Sequence, residues 1–195
     1  MKIKTTFLAC ALTGFLGGSF WHGTTYAKDE SVNNSMQESQ IKRGEYLVGF
    51  GGCHDCHTPK VFTDQGPQPD PNRLLSGHPA DAKLPEIPQN LIGPDKWGAL
   101  TNNDLTAWYG PWGVSFARNL TPDPETGLGN WTEEMFIKTM RTGKRFGEGR
   151  DILPPMPWFS LAVLTDDDLK AIFSYLKTLK PISNKVPEPI QPQKQ

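Results

Sequence analysis

A chain of 195 residues, 36% of them hydrophobic, has room for one domain with a real core. Its eighteen prolines and nineteen glycines predict a fold rich in loop. A formal charge of −1 offers no basic field for nucleic acid, and no run of like charge marks a polyanion site.

In chain order the first element is an address label. Lys2 and Lys4 precede the uncharged, mostly apolar run from Thr5 to Phe20, and Thr25 and Ala27 are small residues at the positions a signal peptidase reads. Residues 1–27 therefore predict a secretory signal peptide, and with it a periplasmic or otherwise exported location. The apolar run is short and broken by glycine, so no membrane span is expected in the mature chain. Cys10 and His22 would leave with the signal, and Cys53 and Cys56 would remain.

Residues 28–38 are polar and predict a flexible leader. Ser39 to Phe50 predicts a helix with Ile41, Leu47 and Val48 on its apolar face, ended by Gly51-Gly52. Gly44 removes a side chain and would let a second helix come close. Residues 58–118 are proline-rich and without periodicity. They predict a long loop region, with Trp97, Trp108 and Trp112 as packing anchors and a helical turn near Asn102–Trp108. A loop of that length needs something large to organise it. Thr132 to Arg141 predicts a helix capped by Thr132, stopped by Gly143 and striped with Met135, Phe136, Thr139 and Met140. Asp166 to Leu179 predicts another, capped by Thr165 and Asp168, with Leu169, Ile172, Phe173, Leu176 and Leu179 at the helical period. Residues 181–195 read as a mobile, proline-rich tail. No segment reads as a convincing strand.

Cys53-His54-Asp55-Cys56-His57 fits C-x-x-C-H, the attachment pattern of c-type haem. Two thiols three residues apart reach two positions on one side of a porphyrin, and the following histidine lies under the iron as its proximal ligand. A disulfide would explain the cysteines and leave His57 unexplained. A redox C-x-x-C pair needs a preceding strand, and a zinc site needs two more ligands, with His78 the one distant histidine of the mature chain. His54 is expected to face solvent.

The other side of the iron decides between electron transfer and ligand chemistry. Met156, in Leu153-Pro154-Pro155-Met156-Pro157-Trp158, is the leading candidate, because three prolines stiffen that loop and present the thioether without an ordering cost. His78 is the runner-up, and bis-histidine ligation would lower the potential. Met135 and Met140 sit at core spacing on their helix.

The stretches "RGEYLV…CHDCH", "NLTPDPETGLGNWTEEMFIKTMRTGK", "PPMPW" and "LTDDDLKAIFSYLKTL" resemble the class I, cytochrome c-like mono-haem family over roughly residues 40–187. They are also similar to periplasmic cytochromes and to cytochrome subunits that serve alcohol, aldehyde or sugar dehydrogenases. The resemblance implies an all-α fold around one covalently attached haem c, with long Pro/Gly-rich loops and a cytochrome domain over residues 39–180. It implies first and last helices crossing at Gly44 and the Phe173–Leu176 face. It also implies thioether attachment at Cys53 and Cys56, with His57 proximal and Met156 distal. Two departures stand out: dehydrogenase cytochromes often carry several C-x-x-C-H motifs and this chain has one, and its segment before Asn119 is long. Arg73, Arg118, Trp97 and Trp112 are candidates for the haem propionates.

The expected function is one-electron transfer by His/Met-ligated iron, without substrate turnover. Expected partners are redox proteins, either a periplasmic dehydrogenase or a terminal oxidase or reductase. The alternatives are a five-coordinate haem enzyme or gas sensor, and a bis-His cytochrome subunit of a dehydrogenase complex.

Overall fold

The computed structural model describes residues 23–87 and 90–192, with side chains from Ser31 onward. Most of the predicted signal peptide, Cys10 and His22 included, lies outside the described residues. The chain divides into two units at Met36. In the first, the described residues are helical from Gly23, the opening of α1 (Gly23–Phe50). The helix therefore begins well before Ser39 and includes the segment read as a leader. It carries no apolar stripe there, and its side chains from Ser31 to Met36 are exposed.

In the second unit, α1 continues to Phe50 and is followed at once by α2 (Cys53–His57). Leu47 and Val48 are buried as expected, and Ile41 is half-buried. Next come a hairpin of β1 (Lys60–Thr63) and β2 (Gly66–Pro69), and a three-stranded meander of β3 (Leu100–Thr101), β4 (Ala107–Gly110) and β5 (Gly113–Phe116). Both sheets are antiparallel. Then follow α3 (Glu133–Thr142), the single turn α4 (Trp158–Leu161) and α5 (Asp166–Thr178).

The all-α expectation is overturned: the fold is mixed, with two small antiparallel sheets where a long loop was read. The strands are two to four residues long, too short to show alternation. Pro67 and Pro69 in β2 mask a strand signal and are tolerated because that hairpin has only edge strands. The helical turn expected near Asn102–Trp108 is instead the β3–β4 connection. There the Asn102 side-chain oxygen accepts the N–H groups of Thr106 at 2.9 Å and Ala107 at 3.0 Å. Of the three tryptophans, Trp97 is 67% exposed, whereas Trp108 and Trp112 each donate an indole hydrogen bond.

The helices that the caps marked are present. Thr132 Oγ1 accepts Met135 N–H at 3.2 Å, and Thr165 Oγ1 accepts Asp168 N–H at 3.1 Å. Phe136, Thr139 and Met140 on α3 and Leu169, Ile172, Phe173 and Leu176 on α5 are buried, with the Phe136 and Phe173 rings 5.4 Å apart. All of these but Thr139 join Leu47, Val48, Leu75 and Leu128 in the main core. A second, smaller core of Ala107, Val114, Phe116 and Val186 holds the meander to the C-terminal segment.

Gly44 meets α5 as its sequence implied, on the Ala171–Tyr175 edge rather than on the Phe173–Leu176 face. A Cβ at Gly44 would run into the Ala171 carbonyl, and would lie 2.8 Å from Tyr175 Cβ. Beside this crossing, Arg43 Nε donates to Asp168 Oδ1 at 2.9 Å, and the bond from Arg43 holds the Asp168 carboxyl below its usual range. Gly44→Ala is expected to destabilise the protein by about 1–3 kcal/mol, because overpacking outweighs the gain of about 1 kcal/mol in helix propensity. Urea denaturation measures this, and a variant as stable as its parent would place the crossing elsewhere.

Candidate functional site

Helix α2 carries three of the four predicted site residues on five positions. Its C-terminal carbonyls are gathered by one cation. Lys60 Nζ donates to the carbonyl oxygens of His54 at 3.0 Å, Asp55 at 2.9 Å and Thr58 at 2.5 Å. A cation at this end of a helix satisfies orphan acceptors and complements the dipole. Cys53 and Cys56 are unpaired and half-buried. Burial pushes the Cys53 thiol up to about 11 and raises that of Cys56 in the same direction. Thiols held protonated are the opposite of the activated pair of a redox C-x-x-C site.

His57 is 9% exposed and lies against the segment after β5. Its Nδ1 is 2.7 Å from the carbonyl oxygen of Arg118. A carbonyl only accepts, so Nδ1 carries the proton and Nε2 carries the lone pair. Burial lowers the His57 pKa, and the bond to Arg118 opposes that shift in part. The result is a neutral imidazole of fixed tautomer and orientation, the form a metal ligand requires. The main chain is held as well: the His57 carbonyl accepts Gly77 N–H at 2.8 Å, and Thr58 Oγ1 accepts Leu75 N–H at 2.9 Å. His54 is half-buried rather than solvent-facing, with Nδ1 2.9 Å from Thr58 Oγ1.

Met156 is half-buried in the loop between α3 and α4. That loop is fastened along its length. Ile152 N–H donates to Gly143 O at 2.7 Å, Lys144 pairs with Asp151 at 2.7 Å, and Trp158 N–H donates to Met156 O at 2.9 Å. The Trp158 indole lies over Gly143. Downstream, Arg141 donates to Ala162 O and pairs with Asp166 at 2.5 Å. The meander contributes too, since Ser115 Oγ donates to Pro154 O at 2.5 Å and accepts from Trp112 Nε1 at 3.2 Å. Ser115 was not legible as a site residue: it supports a loop 39 positions away through one hydroxyl.

His78 is 1% exposed, with its ring centroid 4.9 Å from that of Phe116 and its Nδ1 2.9 Å from Thr106 Oγ1. This is the setting of a packed core histidine. Met140 is likewise in the core, at 8% exposure. Of the propionate candidates, Arg73 pairs with Asp70 at 2.7 Å, Arg118 engages the C-terminal segment, and Trp112 donates to Ser115.

Among the described residues, no three His, Cys, Asp or Glu side chains converge as a metal cage. The donors present suit a different arrangement: two free thiols three apart on one helix, and beside them a neutral imidazole whose Nε2 lone pair is fixed by its second nitrogen. That set fits a covalently attached haem.

Comparison with known proteins agrees. No protein-family model matches the chain. It is 30% identical over 190 residues to the alcohol dehydrogenase (quinone) cytochrome c subunit of Gluconobacter oxydans (strain 621H), covering 96% of this chain and 30% of that protein. It is 36% identical over 160 residues to the fructose dehydrogenase cytochrome subunit of Gluconobacter japonicus, covering 82% and 25%. It is 29% identical over 147 residues to the gluconate 2-dehydrogenase cytochrome c subunit of Pantoea cypripedii, covering 75% and 24%. The chain thus spans about a third or less of the length of these relatives. Over most of its own length it is similar to the cytochrome c subunits of quinone and sugar dehydrogenases.

Proposed function

We propose that this chain is an exported electron carrier with one haem c, joined through Cys53 and Cys56 and ligated by His57 and Met156. When bound, the haem iron alternates between ferric and ferrous states, accepting one electron from a donor protein and passing it to an acceptor. The observation that carries this reading is the His57–Arg118 hydrogen bond, which leaves Nε2 as a lone-pair donor on the same short helix as two free thiols. The single C-x-x-C-H supports one haem. The fastened Met156 loop supports a thioether rather than an open distal side, and His78 is occupied with Thr106 and Phe116.

The chain's own part is to bind and hold. Lys60 fixes the end of α2, Arg118 and Gly77 fix His57, and the loop from Gly143 to Trp158 fixes Met156. Substrate chemistry belongs to the partner, and the relatives support a dehydrogenase in that role. Among the described residues no helix is long and apolar enough to cross a membrane. The test is the optical spectrum of the protein matured in a haem-attaching host. Low-spin bands in both oxidation states, with slow carbon monoxide binding to the ferrous form, are expected. A high-spin ferric spectrum would favour a five-coordinate site instead.

A further inference from the structure

The segment from Ile182 to Ile190 crosses both of the loops that touch His57. On one side, Asn184 grips residues 76–80. Its Oδ1 accepts Ala80 N–H at 3.0 Å, and its Nδ2 donates to Ser76 O at 2.7 Å and to His78 O at 2.9 Å. Within that span Gly77 donates its N–H to the His57 carbonyl at 2.8 Å. On the other side, Arg118 Nη1 donates to Val186 O at 3.3 Å and Pro187 O at 3.1 Å, and Nη2 donates to Glu188 Oε1 at 3.4 Å. The carbonyl of the same Arg118 receives the His57 ring proton. The two gripped loops press on each other: a Cβ at Gly77 would lie 2.5 Å from Ala117 O and 2.6 Å from the carbonyl carbon of Arg118. The segment is anchored at its far end, where Val186 is 4% exposed and Val114 and Ile190 exchange backbone hydrogen bonds at 2.8 and 2.9 Å.

We infer that residues 182–190 are a strap that positions His57, with Asn184 and Arg118 as its positioning residues. The inference rests on His57 being the proximal ligand. A hydrogen bond from Nδ1–H to a carbonyl makes the imidazole a stronger donor and favours the more highly charged metal. The strap holds that carbonyl in place through the Arg118 guanidinium, and holds the His57 main chain through residues 76–80. Loosening either grip weakens the Nδ1–H bond, so the ferrous state gains and the potential rises.

The experiment uses the full-length, haem-loaded protein and compares Asn184→Ala, Arg118→Ala, Arg118→Lys and Glu188→Gln with the parent. Nuclear magnetic resonance of the diamagnetic ferrous form reads exchange of the His57 Nδ1 proton, and equilibration with a mediator reads the ferric/ferrous ratio. Both alanine variants are expected to exchange about fivefold faster. They are expected to shift the ratio roughly threefold toward ferrous, about 30 mV for one electron. Arg118→Lys recovers part of both effects, because its ammonium still reaches for the same carbonyls. Glu188→Gln keeps the test readable should the alanine variants fail to fold, with smaller effects of the same sign. Variants that melt lower but match the parent in proton exchange and in ratio would reduce the strap to plain packing and overturn the inference. A parent without covalent haem would overturn the reading beneath it.

Discussion

Met156→Ala is expected to convert a low-spin haem protein into one with an open distal position. Alanine has no atom that reaches a metal, and the loop that would present the thioether is tied down at Gly143, Ser115 and Trp158. Ferric spectra should turn high-spin, carbon monoxide should bind the ferrous form rapidly, and the reduction potential should fall. A thioether favours the ferrous ion, and axial ligation spans about 0.8 V across haem proteins, so a fall on the order of 0.1 V is expected. Spectra taken beside the parent decide the matter. Unchanged low-spin bands would remove Met156 from the iron and require another distal ligand. His78 would then have to leave Thr106 and Phe116, and its burial argues against that.

The second large effect is expected for Cys53→Ala combined with Cys56→Ala. Covalent haem should fall from one per chain to none, and any remaining pigment should be extracted by acidified organic solvent. Each single variant should keep one thioether link and hold its haem under the same treatment. The stability side of the change is small by comparison. Cys53 is only half-buried at the edge of the main core, so trimming a sulfur there costs about 1 kcal/mol. Loss of colour in the double variant together with retention in the single variants would assign the loss to attachment rather than misfolding. Retention of solvent-resistant haem by the double variant would contradict the assignment.

What the sequence made legible was what depends on neighbours in sequence. The caps at Thr132 and Thr165 and the apolar period of α5 are local patterns, and each lies where the sequence placed it; the C-x-x-C-H run is local too, and it forms the short helix α2. Gly44 was legible because a missing side chain has few other uses in a helix, although its contact fell on Ala171 and Tyr175. The two sheets were not legible because their strands are shorter than the window in which alternation shows. The meander is held by partners far along the chain, Val186 and Ile190 among them. The C-terminal segment was misread for a related reason. Its prolines suggest mobility, yet Asn184 alone makes bonds across 104 to 108 positions, and no local pattern announces such contacts. Arg118 is legible as a cation, but its backbone carbonyl supporting His57 and its guanidinium holding the tail are contacts that no local pattern shows. Lys60 and Ser115 act on backbone carbonyls, so nothing in their residue type marks them.

The most direct measurement is the intact mass of the denatured, purified protein, produced in a host that attaches haem and read together with its colour. Attachment at α2 predicts a red polypeptide heavier than its sequence by one porphyrin and its iron, with the added mass confined to the peptide containing Cys53 and Cys56. A colourless chain at the bare polypeptide mass would contradict it.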